Sequence, residues 1–202
     1  MHNSRGILRQ TGVAVRAILV LTVVLGIGYT LVITGIGQLV FPAQANGSRV
    51  KVDGKVVGSS LIGQSFTTAK GAALPQWFQS RPSAAGNGYD GGASSGSNYG
   101  PNSKVLVGLI KDRQKAIEKL DGVTAAQIPA DAVTASGSGL DPDISPAYAL
   151  LQVDRVAKAR GLSATAVRHL VESKIQGREL GYLGEPTVNV LELNIALAAL
   201  KP

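Results

Sequence analysis

The chain contains no cysteine. That excludes a disulfide framework, a thiolate zinc site and a cysteine nucleophile. Aromatic residues are scarce, with three Phe, five Tyr and one Trp, so a core must be built mainly from Val, Leu, Ile and Ala. The adjacent pair Trp77 and Phe78 is the one concentration of aromatic surface, and the fold is expected to pack around it. Histidine occurs twice, at His2 and His169, with no metal-ligand spacing. No long Lys/Arg run with interleaved aromatics exists, which argues against a nucleic-acid partner.

The most informative absence is local. From Ala17 to Val40 no residue is charged, and Gln38 is the one strongly polar side chain. About 20 apolar residues cross a roughly 30 Å hydrocarbon core as a helix, so residues 17–40 read as a membrane span. Residues 1–16 carry Arg5, Arg9 and Arg16 and no acid. Positive charge ahead of a first span holds that end in the cytoplasm, which places residues 41–202 outside it. A cleaved signal peptide is the competing reading, since Ala43 and Ala45 flank Gln44 in the small-x-small pattern. Its apolar region would be about 7–15 residues, shorter than this one. Within the span Thr22, Gly26, Thr30 and Thr34 recur every fourth residue, a spacing that lets a partner helix approach closely.

The remaining chain reads as one α+β domain. Residues 49–52 and 55–57 flank Asp53-Gly54, which supplies the positive φ angles of a hairpin turn. Residues 61–66 read as a further extended segment. Residues 84–103 are rich in Gly, Ser and Asn and read as a flexible loop. Gly86, Gly88 and Gly91 match G-x-G-x-x-G, but no strand precedes them and no apolar helix follows directly, so a dinucleotide site is rejected.

Asn102 or Ser103 caps an expected helix to about Leu120, with Leu106, Leu109, Ile110, Ile117 and Leu120 on its apolar face. A short strand is expected at 132–134. Ser145 and Pro146 open a helix expected to run to Arg160, closed by Gly161. Ser163 opens another, ending near Gly177. Asn189 and Glu192 resemble a capping box for a last helix to about Leu200.

Little in this points to catalysis. A triad of His169 with Ser136, Ser138 or Asp141 would be spatial, and no nucleophile elbow supports it. Asp141 and Asp143 flank Pro142, a pattern of turn chemistry that could also attract cations. An anchored exported hydrolase and an envelope binding module remain the alternatives.

The loops carry an ordered series of short motifs: Leu61 to Gln64, Arg81 to Ala84, Ser95 to Asn98 ahead of Gly100-Pro101, and Thr134 to Pro142. Ile144 to Pro146, Gln152-Val153, Arg155 to Ala157, Ala159 to Gly161, Leu183 to Pro186 and Val188 to Leu191 follow. With the single N-terminal span, this series resembles the C subunit of the Kdp-type potassium-transporting ATPase of bacteria, over nearly the whole chain. The family usually has His where Asp143 stands and often Arg where Thr187 stands.

The resemblance implies a non-catalytic accessory subunit of the inner membrane. Its implied partners are a P-type ATPase subunit, a potassium-channel-like subunit and a small single-span subunit. It implies no tightly bound cofactor of its own, with ATP met only through the ATPase subunit, whose nucleotide affinity the C subunit raises. Ser136 and Ser138 are the nucleotide-facing candidates by that resemblance. The topology drawn from Arg5, Arg9 and Arg16 conflicts with direct ATP contact and favours capping of the potassium entrance.

Overall fold

A computed structural model describes residues 4–201; His2 lies outside them. The chain divides into two compact units, one ending at Ser48 and one beginning at Arg49.

The first unit is helical from Ser4 onward. Helix α1 (Ser4–Leu21) runs into a π-helical stretch (Thr22–Tyr29), then α2 (Thr30–Val40). Residues 4–16, read from sequence as a tail, are therefore part of the same helix as the span. Over Gly6–Val40 this helix is long and apolar enough to cross a membrane, and none of its most apolar window is buried. The π stretch changes the small-residue pattern, because its i→i+5 bonding widens the turn. Thr22 and Gly26 lie in it, whereas Thr30 and Thr34 follow it. The Thr30 hydroxyl donates to the Gly26 carbonyl at 2.7 Å, so it is satisfied inside its own helix.

Pro42 opens a single turn, α3 (Pro42–Ala45). Asn46 Nδ2 donates to Gln38 Oε1 at 2.9 Å and to the Pro42 carbonyl at 2.7 Å. The one strongly polar side chain of the span is thus partnered at its end.

The second unit opens with the hairpin β1 (Arg49–Val52) and β2 (Lys55–Ser59), antiparallel, with Val52 opposite Lys55. Asp53 and Gly54 have φ of 49° and 76°, as the turn requires. Residues 61–66 form no strand. Gly63 N–H instead donates to the Leu140 carbonyl at 2.9 Å.

Helix α4 (Lys104–Asp121) is capped by the Ser103 hydroxyl and stopped by Gly122 in the left-handed region. The expected strand at 132–134 is instead one helical turn, α5 (Ala130–Val133), with Pro129 at its N-cap position and Thr134 at its C-cap. A second sheet has the order β3 (Asp143–Ile144), β5 (Thr187–Asn189), β4 (Ile175–Gln176), all antiparallel.

The expected helix from Pro146 to Arg160 is broken into α6 (Pro146–Leu151) and α7 (Val153–Arg160) at Gln152. Helix α8 (Ala164–Ser173) is capped by Ser163 and stops before β4, short of the expected Gly177. Helix α9 (Val190–Ala199) is capped by Asn189, whose Oδ1 accepts from Glu192 N–H at 3.1 Å. Ile144 and Val188 bury the sheet against Val153, Val156, Val167, Val171, Leu193 and Leu197, and Phe78 is fully buried among them. The observed architecture is α+β with one N-terminal apolar helix.

Candidate functional site

Residues 75–79 have no regular structure, yet Phe78 sits at the centre of the core. Buried backbone groups need partners, and here side chains supply them. Asn194 of α9 accepts from Phe78 N–H at 2.9 Å and donates to the Phe78 carbonyl at 3.0 Å. Gln152 treats Gln79 in the same way, at 2.7 Å and 3.2 Å. Arg155 of α7 donates to the carbonyls of Pro75 and Trp77 at 2.6 and 2.9 Å, to Gln152 Oε1 at 2.6 Å, and to Asp121 Oδ1 at 2.6 Å. Arg160 donates to the Gln76 carbonyl, and its guanidinium lies 4.2 Å from the centre of the Trp77 ring. The break between α6 and α7 falls at Gln152, the residue whose side chain holds Gln79.

The loops interlock in a second cluster. The Ser83 hydroxyl donates to the Gly139 carbonyl at 2.6 Å and accepts from the N–H groups of Ala85 and Tyr89. Ser95 N–H and the Ser94 hydroxyl both donate to the Ser138 carbonyl, at 2.9 and 3.0 Å. Tyr89 donates its hydroxyl to the Arg81 carbonyl at 2.7 Å, and burial pushes that phenol up to about 12. Ala85 is fully buried. The stretch at 84–103, read from composition as flexible, is in these places bonded to residues 137–140. Composition reports only what a segment lacks for its own secondary structure, not what another loop supplies.

Of the residues singled out from sequence, Ser138 and Asp141 take part in or beside this cluster, with Ser136 and Asp143 next to them in the chain. Ser136 is 5% exposed, beneath the surface. Ser138 is exposed, and its hydroxyl accepts from Leu140 N–H at 3.1 Å, shaping the turn. Asp141 pairs with Arg81 at 2.8 Å and accepts from Asp143 N–H at 3.0 Å, so its charge is compensated. Burial, with the Asp141 charge second, raises the Asp143 carboxyl above the usual carboxylate range. His169 lies exposed on α8, 3.6 Å from Glu172 of the same helix.

Two adjoining clefts lie beside the interlocked loops. One, of about 540 Å³, is lined by Ala73, Gln79, Ile117 and Tyr148 among others; the second, of about 420 Å³, includes Arg81, Ser83 and Tyr89. Arg113 of α4 borders both, donates to the Val133 carbonyl at 2.8 Å, and has its pKa lowered by burial. Burial also raises the Tyr148 phenol. Neither cleft is lined by Ser136 or Ser138. Among the described residues no group of His, Asp and Glu could hold a metal ion.

A family model described as "KdpC: K+-transporting ATPase, c chain" matches residues 11–199. The chain belongs to the KdpC family. A relative in Methylococcus capsulatus, named potassium-transporting ATPase KdpC subunit, is 51% identical over 189 residues, covering 93% of this chain and 96% of the relative. Relatives of the same name in Gemmatimonas aurantiaca and Mycobacterium tuberculosis are 56% identical over 181 residues and 50% over 190. They cover 89% and 94% of this chain, and 87% and 97% of themselves.

The motifs that carried the KdpC resemblance meet in space as the interlock. Arg81 pairs with Asp141, Ser83 with Gly139, and Ser95 with Ser138. What sequence reasoning missed is the set of polar residues that hold irregular backbone: Arg155, Gln152 and Asn194. The only signal for them was their place on otherwise apolar helix faces.

Proposed function

We propose that this chain is the non-catalytic accessory subunit of an ATP-driven potassium uptake complex in the bacterial inner membrane. In this reading its N-terminus is cytoplasmic and its domain lies on the outer side, where it caps the entrance of a potassium-channel-like subunit. The observation that carries the reading is the family match, which takes in the apolar helix and the domain together.

The partners are a P-type ATPase subunit, which hydrolyses ATP, the channel-like subunit, and a small single-span subunit. Thr22 and Gly26 on the π-helical stretch, and Thr30 and Thr34 on α2, are the small residues offered to a partner helix, by close packing and not by the Thr30 hydroxyl, which is bonded to Gly26. A domain held outside by Arg5, Arg9 and Arg16 meets no cytoplasmic ATP, so nucleotide acts only through the ATPase subunit. The occupied turn at Ser138 and the burial of Ser136 agree with a structural role for that segment. The pairing of Asp141 with Arg81 likewise favours loop anchoring over cation attraction.

The absence of cysteine gives a clean test of topology. Asp112 on α4 and Gln10 on α1 are both exposed. In intact cells an impermeant maleimide is expected to label Asp112→Cys and to leave Gln10→Cys unlabelled until the cells are lysed. The reverse pattern would put the domain in the cytoplasm and restore direct nucleotide contact.

A further inference from the structure

The loop between β4 and β5 presents apolar side chains that the fold does not use. Every residue from 175 to 185 is exposed, with Leu180 at 79%, Tyr182 at 69% and Leu183 at 48%. The loop is nonetheless built. Glu179 and Leu183 exchange backbone hydrogen bonds, both 2.9 Å, Gly181 N–H donates to the Arg178 carbonyl, and Tyr182 N–H donates to the Glu179 carbonyl. An ion pair between Arg178 and Glu185 closes its base. None of these bonds involves the side chains of Leu180, Tyr182 or Leu183.

Leu180 is anomalous twice. It exposes a large apolar side chain, and its φ of 52° is in the left-handed region that L-residues other than Asn and Asp rarely enter. Glycine there would relieve both costs. A residue standing where folding disfavours it points to use at a contact. A tip already held in one conformation also loses little entropy on binding, and a Tyr beside Leu residues is a frequent anchor composition at interfaces.

The charges select the occupant. Arg178 is tied to Glu185, and among the described residues Glu179 has no ion-pair partner, so the loop carries net negative charge. An anionic phospholipid surface would repel it. A second copy of the chain meeting tip to tip would set Glu179 against Glu179.

We infer that the tip formed by Leu180, Tyr182 and Leu183 is a docking knob for an apolar socket rimmed by Lys or Arg on another subunit of the same complex. This rests on the accessory-subunit reading and names the surface through which the domain holds its partner.

The test uses the full chain in its native complex. Leu180→Gly and, separately, Tyr182→Ser are introduced into tagged protein, and partner retention is followed on dilution in mild detergent. Leu180→Gly is expected to leave the melting temperature of the purified chain unchanged or raised, while the complex holds together about tenfold less well. Glu179→Lys is expected to weaken it in a salt-dependent way. Retention equal to wild type in all three variants would overturn the knob, as would a fall in melting temperature that accounts for the loss. Lipid as the occupant would show as quenching of Tyr182→Trp fluorescence by brominated phospholipid, and would equally overturn it. If wild-type protein retains no partner at all, the accessory-subunit reading itself fails, and the knob with it.

Discussion

Arg155→Met is expected to destabilise the domain by about 3–5 kcal/mol, because it strands a buried carboxylate and two carbonyls at once. The Arg155 and Asp121 side chains are 5% and 1% exposed, so neither can turn to water in the native state. Methionine can fill the volume of the aliphatic stem but offers no donor to Asp121, Pro75, Trp77 or Gln152. For a domain of this size such a loss is a fall of roughly 10 °C in Tm.

The deficit should depend on pH with a definite sign. Burial already raises the Asp121 carboxyl above its ordinary value, against the pull of Arg155. A carboxyl raised in the folded state binds its proton more tightly than in the unfolded chain. Stability then falls as pH rises from the ordinary value through the raised one. Without Arg155 the carboxyl rises further, so the variant should lose most at neutral pH and recover part of the loss in acid. Pairing the change with Asp121→Leu should also restore part of it, since the stranded charge is gone. Denaturant melts at several pH values check both points. A loss under about 1 kcal/mol, flat with pH, would mean that water reaches the cluster.

Gly139→Ala is expected to cost about 2–4 kcal/mol, combining left-handed strain with overpacking. Gly139 has φ of 67°, and a Cβ there would lie 2.6 Å from the Ser95 carbonyl oxygen and 2.7 Å from the Ala85 nitrogen. Both neighbours are backbone, so relief requires the two loops to part. The effect should therefore be regional. Amide exchange should accelerate at Gly88 and Ser95, whose N–H groups are bonded to Ala85 and Ser138, while the α7–α9 core keeps its protection. Uniform acceleration, or none, would mean that the interlock does not unfold as a unit.

These two clusters also mark where the sequence stops being readable. Local chemistry was legible. Ser103, Ser145, Ser163 and Asn189 cap helices, and Gly122 and Gly161 end them in the left-handed region. Each of those signals lies within four residues of its effect. The hairpin turn at Asp53-Gly54 was legible for the same reason.

Nonlocal chemistry was not. The Gln152 side chain is bonded to Gln79, 73 residues away, and nothing around Gln152 announces that pairing or the helix break at the same residue. Ser83 bonds Gly139 across 56 positions, and Ser94 bonds Ser138 across 44, so the glycine-rich stretch looked free. The single turn at 130–133 reads as a strand over 132–134 because two adjacent apolar residues, Ala132 and Val133, followed by a β-branched Thr134, are too short to show either period. Strand β4 is two residues long and exposed, too short to leave any pattern. The π-helical stretch has the same apolar composition as the helices around it, and composition alone cannot mark it. For the candidate site, the motifs named the right loops but not their pairing. The family resemblance located Ser136 and Ser138, whereas the structure adds the arginines that hold their surroundings.

The central claim is membership of a working potassium-transport assembly. Its most direct test is purification of tagged full-length protein from its native membrane in mild detergent, with mass spectrometry of what accompanies it. The expected result is a P-type ATPase subunit and a potassium-channel-like subunit, recovered in fixed proportion to this chain. Recovery of the chain alone, or with unrelated envelope proteins, would contradict the claim and return the anchored hydrolase and the binding module to consideration.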